Sequence, residues 1–349
     1  MDVLFFPYGP RNPYQSNLAT ALRRKGIAVS AVKDTSFTNL KHSVANQDIL
    51  HLHWTSPYLI NPKISKSMEM AFQFLKILTQ QKRRGRKLVW TIHNLGEHER
   101  RHPGFELFCH RLLARLVDGI IVHSRYAREQ ATKAYRLGRR TGKIHIIPHG
   151  NYIGNYPNDI SRGQARAELH IGAEKKVFLF LGQIRPYKGV PGLISAFKKI
   201  AQGNEVLILA GKPLNDEIEI QLKQLVGEGK DIIYSPKFVE GEEIQVFMKA
   251  ADAVVFPFED IFTSGSVLLA MSFAKTVIAP DLESLAEIRE IGGTISYDLK
   301  KQAGLEEALS SALSADLEEM GLRNFQAAQK LSWELIAEKT VRVYQGEPG

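Results

Sequence analysis

A glycine turn with two basic residues follows an apolar stretch in the second half of the chain. The sequence KVFLFLGQIRPYKGV places Gly182, Arg185 and Lys188 between a predicted strand and a helix that begins near Gly189. Glycine permits a tight turn, and a helix start offers unpaired N–H groups and the positive end of its dipole, which suit phosphate. Arginine adds a forked cation and lysine a point charge. The turn predicts a phosphate site; a glycine turn with solvated cations is the alternative.

Small hydroxyl residues precede a second predicted helix. Thr263, Ser264, Gly265 and Ser266 stand between the apolar stretch DAVVFPF and the sequence VLLAMSFA. Hydroxyl side chains can cap a helix here, and a glycine between serines lets backbone amides approach a phosphate. Two such helix starts in one half of the chain favour a diphosphate, and therefore a nucleotide.

Two histidines alternate along the apolar stretch DILHLHW in the first half. His51 and His53 share one face of the predicted strand, and Trp54 follows them. A zinc site needs a third protein ligand, which the sequence does not identify. Packing at the sheet edge or contact with an acceptor is favoured over a metal.

These residues depend on apolar strands that alternate with helices along the whole chain. Stretches such as SNLATALRRKG and GVPGLISAFKKIA have apolar residues at helical spacing. The alternation predicts parallel sheets with helices on both faces, whose ligands bind beyond the carboxyl ends of the strands. The predicted strands are DVLFF, IAVSAV, DILHLHW, KLVWTIH, GIIVHS, KIHIIP, KVFLFLG, EVLILAG, DIIYSP, DAVVFPF, TVIAP and GTISY.

The series restarts after the segment NYIGNYPNDISRGQ, which is rich in Gly, Asn and Pro and is typical of a linker. A chain of 349 residues is also long enough for two domains. We therefore predict an α/β protein with two doubly wound, Rossmann-like domains and a cleft between them. Residues 1–155 would form the first domain, residues 156–330 the second, and residues 331–349 a C-terminal helix that crosses back.

The net charge of +9 narrows the possible partners. Basic residues concentrate in QQKRRGRK and RYAREQATKAYRLGRRTGK, which favours an anionic membrane surface or a phosphorylated small molecule; solvated helix faces are the alternative. Neither run interleaves aromatic residues, so nucleic acid is disfavoured. The lone Cys109, the absence of a signal-like N-terminus and the absence of a window near 20 apolar residues favour a cytoplasmic protein.

Motifs over nearly the whole chain resemble the GT-B glycosyltransferases close to glycosyltransferase family 4. The second half carries FLGQIRPYKGV, LAGKP, AADAVVFPFED and TSGSVLLAMSFAKTVIAP, and the first half carries NPYQSNLATALRRKG, TIHNLGEHE, IIVHS and IIPHGNY. The set NPY, HLHW, TIHNL-x-x-HE, IRPYKGV and SGS-x-LLA-x-S is similar to the xanthan-pathway GDP-mannose:glycolipid β-mannosyltransferases. The resemblance implies the GT-B fold and transfer from a nucleotide-sugar, GDP-mannose being favoured, to a saccharide or lipid-linked oligosaccharide. It also implies a peripheral position on the inner face of the cytoplasmic membrane.

The same resemblance implies which residues bind the two substrates. On the donor side these are Gly182, Arg185, Lys188, Gly211, Val239, Thr263, Ser264, Gly265 and Ser266. On the acceptor side they are Tyr14, Asn94, His149 and Gly150, with a structural turn as the alternative for the last two.

The chain departs from the family pattern at two places. Gln183 stands where common family 4 enzymes carry an arginine, so Arg185 is expected to take over the phosphate role. Ile261 and Leu269 replace the Glu-x7-Glu pair of the retaining enzymes. This loss favours the inverting subgroup. Because no Asp-x-Asp is present, no metal or other cofactor is expected.

An inverting transfer needs a base within hydrogen-bond reach of the attacking hydroxyl. The loop TIHNLGEHE follows a predicted strand end and supplies the candidates Glu99, His98 and His93, in that order. A histidine bonded to a backbone carbonyl and a solvated loop are the structural alternatives. The alternative functions are a retaining UDP-sugar transferase, a nucleotide-sugar epimerase and an inactive nucleotide-binding protein of the same architecture.

Overall fold

The computed structural model describes residues 1–9, 13–31, 37, 40, 47–97, 99 and 101–348. The chain divides into two compact units. Unit 1 comprises Met1–Gly150 and Leu331–Gly349, and unit 2 comprises Asn151–Lys330. The chain enters unit 2 at Asn151, whose Nδ2 donates a hydrogen bond of 2.7 Å to the Ala328 carbonyl.

Unit 1 is built on a parallel sheet of six described strands in the order β2-β1-β3-β4-β5-β6. Its central strands are buried on both faces, which explains why they have continuous apolar sequences. The direction of winding changes between β1 and β3, which pair with Val3 opposite Ile49. The strands are β1 Asp2–Phe6, β2 Ala28–Ala31, β3 Ile49–Leu52, β4 Lys87–Thr91, β5 Gly119–Val122 and β6 Ile144–Ile146.

Helices connect these strands, and each buries one apolar face. The first is α1 Pro13–Arg24, which buries Tyr14, Leu18 and Leu22. The others are α2 Ile64–Arg83, α3 Pro103–Leu116 and α4 Arg125–Tyr135. The side chain of Ser124 caps α4 by accepting a hydrogen bond from Ala127 N.

Unit 2 is built on a second parallel sheet of six strands, in the order β12-β11-β10-β7-β8-β9. This is the order of dinucleotide-binding sheets, and winding changes direction between β7 and β10. The strands are β7 Lys176–Leu181, β8 Glu205–Ala210, β9 Ile232–Ser235, β10 Ala253–Val255, β11 Thr276–Pro280 and β12 Thr294–Tyr297. The helices are α5 Arg162–Glu168, α6 Val190–Ile200, α7 Asp216–Val226, α8 Ile244–Ala250, α9 Gly265–Ser272, α10 Ala286–Arg289, α11 Gly304–Ser314 and α12 Leu317–Gln329.

The last helix, α13 Trp333–Gln345, belongs to unit 1 and packs against α1. It buries Trp333, Ile336 and Tyr344 in the same core as Tyr14 and Leu18. The predicted α/β class with two parallel sheets is confirmed, and every predicted strand stretch contains an observed strand.

Candidate functional site

The glycine turn of unit 2 runs beside the loop that follows β8. Gly182 N donates to Ala210 O and Ile184 N donates to Lys212 O, both at 3.0 Å. Gly182 and Gly211 have φ angles of 141° and 153°, and a Cβ on Gly211 would lie 1.9 Å from Gly182 O. Only glycine fits this approach, so the two predicted donor-site glycines lie side by side at the carboxyl ends of β7 and β8.

The start of α6 is held against the loop that follows β10. Gly189 has a φ of 65°, and a Cβ there would lie 2.0 Å from the carbonyl oxygen of Pro257. Two residues further, Glu259 N donates to Tyr187 O at 3.0 Å. These contacts bring the glycine turn and the loop before α9 together at the switch point of the sheet.

The start of α9 adjoins the same glycine turn. Ser264 caps the helix, because its Oγ accepts a hydrogen bond of 3.3 Å from Val267 N. A Cβ on Gly182 would lie 3.8 Å from Ser266 Oγ. Thr263, Ser264, Gly265 and Ser266 thus stand at a capped helix start beside Gly182, where the first amides and the helix dipole favour an anion.

Lys188 lies in this region as a half-buried cation. Its Nζ is 4.9 Å from the centre of the Phe258 ring. Partial burial is the main cause, and the neighbouring Arg185 a second one, that together lower the pKa of Lys188 to about 8. Arg185 Nε donates a hydrogen bond of 3.1 Å to Gln183 Oε1. The residue that departs from the family pattern, Gln183, therefore holds the Arg185 guanidinium through its side-chain amide. A diphosphate would favour the charged form of Lys188 that burial disfavours.

The other donor-side positions that the sequence singled out make fewer contacts with the glycine turn. Val239 is half-buried in the loop after β9, and among the described residues it makes no hydrogen bond to the glycine turn. Ile261 is 9% exposed and Leu269 is half-buried in α9, so apolar side chains occupy the positions of the missing carboxylates. The nearby Glu259 is exposed.

The carboxyl edge of the unit 1 sheet carries a cluster of histidines around Tyr14, which we call the imidazole cluster: His53, His93, His123 and His149. The Tyr14 ring centre lies 4.9 Å from those of His93 and His149, 5.4 Å from that of His123 and 6.0 Å from that of His53. Burial is the main cause that lowers the pKa of each imidazole, to about 4 for His123 and about 3 for His149. The cluster is therefore neutral at physiological pH.

Hydrogen bonds orient these rings. Nδ1 of His123 donates to Ile147 O at 2.9 Å, and Nδ1 of His149 donates to Gly150 O at 2.6 Å. His53 Nδ1 and His93 Nε2 lie 3.3 Å apart. The buried Nε2 atoms of His53 and His123 have no hydrogen-bond partner among the described residues. The cluster can therefore offer neutral ring nitrogens to the hydroxyl groups of a sugar.

His51 continues this network towards the C-terminal helix. Its Nδ1 is hydrogen-bonded to the Tyr344 hydroxyl at 2.6 Å and its Nε2 to Thr91 Oγ1 at 2.7 Å, and the Tyr14 hydroxyl also bonds to Thr91. Both ring nitrogens of His51 are thus engaged in hydrogen bonds within unit 1. Over the described parts of the chain, no group of three or more His, Cys, Asp or Glu side chains is arranged to hold a metal ion.

The C-terminal helix also completes the aromatic wall beside Tyr14. The Trp333 ring centre lies 5.3 Å from that of Tyr14 and 5.9 Å from that of His149. A Cβ on Gly150 would lie 2.5 Å from the Trp333 ring. Gly150, predicted as a substrate residue, therefore makes room for Trp333.

A cavity of about 280 Å³ opens next to the imidazole cluster. The rings of Trp54 and His93 stack at 4.2 Å with an angle of 11° and form one of its walls. The predicted residues His93 and Asn94 both line it, and so does Glu97. Its other lining residues are His53, Thr55, Ser56, Pro57, Trp90 and Gly96. An aromatic wall with a few polar groups is the composition expected of a small-ligand site.

Glu106 supports the loop that borders this cavity. Its carboxylate accepts hydrogen bonds from Glu97 N at 3.0 and 2.9 Å and from Ser56 Oγ at 2.6 Å. A Cβ on Gly96 would lie 3.0 Å from Glu106 Oε2, so the loop packs closely on this side chain. Burial raises the pKa of Glu106, and the hydrogen bonds oppose that shift.

The loop carboxylates differ in their surroundings. Glu99, the first predicted base, is 38% exposed and forms an ion pair with Arg101. Oε1 of Glu97 also pairs with Arg101, at 2.5 Å, but Oε2 of Glu97 is buried and has no hydrogen-bond partner among the described residues. His98, the second predicted base, lies outside the described residues.

Sequence reasoning placed Glu97 in the loop of the candidate bases and Trp54 in the HLHW motif but named neither as a site residue, and it did not single out His123. For Trp54 the available signal was its position directly after a strand end. For His123 the signal was likewise its position directly after a strand end, in the stretch GIIVHS. Residues that follow parallel strands meet at one edge of the sheet, and this rule could have grouped Trp54 and His123 with His93.

Two family models match the chain, one in each half. The model described as Glycosyltransferase Family 4 matches residues 14–151, and the model described as Glycosyl transferases group 1 matches residues 175–315. No helix in the described part of the chain is long and apolar enough to cross a bilayer.

The chain is similar to several known proteins at modest sequence identity. The chain is 29% identical over 295 residues to the GDP-mannose:glycolipid 4-beta-D-mannosyltransferase of Xanthomonas campestris pv. campestris, covering 83% of this chain and 76% of the relative. It is 24% identical over 277 residues to the alpha-maltose-1-phosphate synthase of Mycolicibacterium smegmatis, covering 73% and 69%. A crystal structure of Anabaena HepE in complex with UDP has a TM-score of 0.75 at 16% identity, over 99% of this chain and 100% of that one, which shows a shared fold.

Proposed function

The chain belongs to the GT-B glycosyltransferases of the family 4 type, and from this premise we propose that it transfers mannose from GDP-mannose to a lipid-linked saccharide with inversion. The name of the Xanthomonas relative, which gives GDP-mannose as donor, a glycolipid as acceptor and a β product, supports the proposal. The observation that carries it is the meeting of Gly182, the α9 start and the half-buried Lys188 in unit 2.

Unit 2 is proposed to hold the diphosphate. The backbone amides at the start of α9 would bind phosphate oxygens, while Lys188 and Arg185 would stabilise the charge that grows on the leaving nucleoside diphosphate. We propose that these amides and cations neutralise the diphosphate and that the transfer needs no metal. Gly211 and Val239 are proposed to line the nucleoside side of this region.

The proposal of inversion rests on the missing carboxylates. Ile261 and Leu269 offer neither a nucleophile nor an anion beside the donor, whereas an inverting transfer needs only a base for the acceptor hydroxyl. A β product from an α-linked donor such as GDP-mannose is the chemical consequence.

Unit 1 is proposed to supply the acceptor site and that base. The imidazole cluster is neutral, and its rings can accept or donate hydrogen bonds to hydroxyl groups without carrying charge. His93, Tyr14, Asn94 and His149 keep their predicted role as substrate contacts, with His93 as a further candidate base. A carboxylate is favoured because it is ionised at neutral pH.

Glu97 joins Glu99 as a candidate base. Both carboxylates share Arg101, but only Glu97 lines the cavity with Trp54 and Asn94 and has a buried oxygen without a partner. That oxygen could accept the proton of an acceptor hydroxyl bound against the Trp54 ring. We therefore propose Glu97 as the base that the structure adds to the sequence-based candidates.

A donor panel tests the proposed function. The purified protein is incubated with GDP-, UDP- and ADP-sugars and with bacterial membrane lipid extracts, and the product linkage is determined by NMR. The expected result is a β-mannosyl lipid formed from GDP-mannose. An α-linked product would overturn inversion, transfer from UDP-glucose alone would overturn the donor, and conversion of the donor without an acceptor would indicate an epimerase.

A further inference from the structure

Two loops of unit 1 form the cavity beside Trp54. Apart from Trp90, every lining residue belongs to residues 53–57, which follow β3, or to residues 93–97, which follow β4. We call these segments the β3 loop and the β4 loop. Because they form opposite parts of one lining, the shape of the cavity depends on the distance at which the two loops are held.

Glu106 is hydrogen-bonded to both loops. It lies in the first turn of α3, is 4% exposed and stands outside the set of lining residues. Its Oε1 accepts a hydrogen bond of 2.6 Å from Ser56 Oγ in the β3 loop. Both of its oxygens accept from Glu97 N in the β4 loop, at 3.0 and 2.9 Å. One buried carboxylate therefore joins the two loops, through hydrogen bonds of the stronger, charge-assisted kind.

The β4 loop packs against this carboxylate without a gap. A Cβ on Gly96 would lie 3.0 Å from Glu106 Oε2, closer than an ordinary van der Waals contact. Glycine at this position lets the backbone approach the carboxylate, and the next residue, Glu97, is bonded to it through its amide. The main chain that carries the Glu97 side chain is thus fixed by Glu106.

Other hydrogen bonds hold each loop separately. Trp90 Nε1 donates to the carbonyl of His53 in the β3 loop at 3.3 Å. The Tyr135 hydroxyl donates to the carbonyl of Leu95 in the β4 loop at 3.0 Å. Each of these bonds attaches one loop to the body of unit 1, whereas Glu106 spans both loops. Loss of the Glu106 carboxylate would therefore leave both loops attached but would release their separation.

We propose that Glu106 is a positioning residue, which sets the separation of the β3 and β4 loops and thereby holds the Glu97 carboxylate where an acceptor hydroxyl can reach it. Arg101 holds Oε1 of Glu97, and Oε2 is buried without a hydrogen-bond partner among the described residues. A displacement of about 1 Å in a reacting group can cost a reaction about 10²-fold. The inference rests on the proposed function for the role of Glu97 as the base.

Two substitutions of Glu106 separate its reach from its charge. Glu106→Gln keeps the length of the side chain, so its amide oxygen can accept from Glu97 N while its NH₂ group donates to Ser56 Oγ. This variant should keep most of the activity. Glu106→Asp keeps the charge but is one methylene shorter and cannot span both loops. It should lower kcat by about 10- to 100-fold and leave GDP affinity, measured by calorimetry, unchanged.

A double-mutant cycle shows whether Glu106 acts through Glu97. If it does, Glu106→Asp should lower kcat little further in a protein that already carries Glu97→Gln. A merely structural defect would instead multiply the two losses. Full activity of Glu97→Gln alone would refute the proposed base, and with it this route of action. An impaired Glu97→Gln beside a fully active Glu106→Asp would overturn the inference and leave the proposed function standing.

Glu205 of unit 2 provides a matched control. It is 7% exposed, and its carboxylate accepts a hydrogen bond of 2.7 Å from Gln202 N, so it is also a buried carboxylate that holds a loop amide. It begins β8, at the edge of the sheet opposite to the glycine turn. Glu205→Asp should lower Tm about as much as Glu106→Asp does, with no change in kcat.

Hydrogen exchange of the Glu97 amide gives a readout that needs no substrate. The exchange should be slow in the unchanged protein and in Glu106→Gln, and much faster in Glu106→Asp. Equal exchange in all three proteins would overturn the inference. So would an active Glu106→Asp beside an inactive Glu106→Gln, because the charge of Glu106 and not its reach would then matter.

Discussion

The two units build their candidate sites in different ways. In unit 2 the site consists of backbone and cations from two loops, and its glycines allow the loops to approach within a distance that a Cβ would prevent. In unit 1 it consists of neutral ring side chains that come from several strand ends and from the C-terminal helix. The first suits a charged diphosphate and the second suits uncharged hydroxyl groups. The contrast indicates that cations and backbone amides are concentrated in the unit 2 site, whereas neutral hydrogen-bonding rings are concentrated in the unit 1 site.

The largest effect is expected from replacing the proposed base of unit 1. Glu97→Gln should lower kcat by about 10²- to 10⁴-fold if Glu97 is the base, because general-base help is worth that much. GDP binding, measured by calorimetry, should stay nearly unchanged. The matched variant Glu99→Gln removes the other carboxylate on Arg101 and should cost much less. Equal activity of Glu97→Gln and the unchanged enzyme would return the role to Glu99, His98 or His93.

A second variant breaks the backbone site of unit 2. Gly211→Ala should destabilise the protein by about 3 kcal/mol or more, since a Cβ would strike Gly182 O and the φ of 153° is strained for alanine. The nucleotide-induced rise in Tm should also be lost. Gly26→Ala is the control, because Gly26 has a φ of 79° but open space around it, and it should cost about 1 kcal/mol. Similar losses of Tm in both variants would show that the close approach is unimportant.

The pH dependence of GDP affinity tests the role of Lys188 in the unit 2 site. Burial lowers the pKa of Lys188 to about 8, and a bound diphosphate would raise it, so binding takes up a proton above pH 8. GDP affinity should therefore be flat below about pH 8 and fall above it, by up to about tenfold per pH unit. Lys188→Arg keeps its charge and should remove the fall. The same decline in that variant would exclude Lys188 as its source.

The smallest expected effect is that of metal removal. GDP at a hundredfold excess over Kd should stabilise the protein by about 2.7 kcal/mol. EDTA should leave this shift unchanged if backbone amides, Arg185 and Lys188 carry the phosphate site. A shift that appears only with added Mg²⁺ or Mn²⁺ would show that a cation belongs to the donor site.

The sequence by itself determined the strands, the parallel class and the position of the glycine turn after β7. These features depend on neighbours in the chain: the period of apolar residues, the glycine of a turn and the hydroxyl before a helix. Gly182, Ser264 and Lys188 could be named as a group because each lies within a few residues of a strand end or a helix start. Motif resemblance added the glycosyltransferase family, which the family models confirm.

Only the tertiary structure decided how unit 1 assembles its site. His123 and Trp333 reach Tyr14 from strands and helices that are distant in sequence, and no local pattern indicates that Trp333 of the C-terminal helix lies beside the first helix. The choice between Glu97 and Glu99 also depended on which residue lines the cavity, since two carboxylates in one loop have the same chemistry. Side-chain direction and burial arise from packing among many segments, whereas turn and strand formation arise within one.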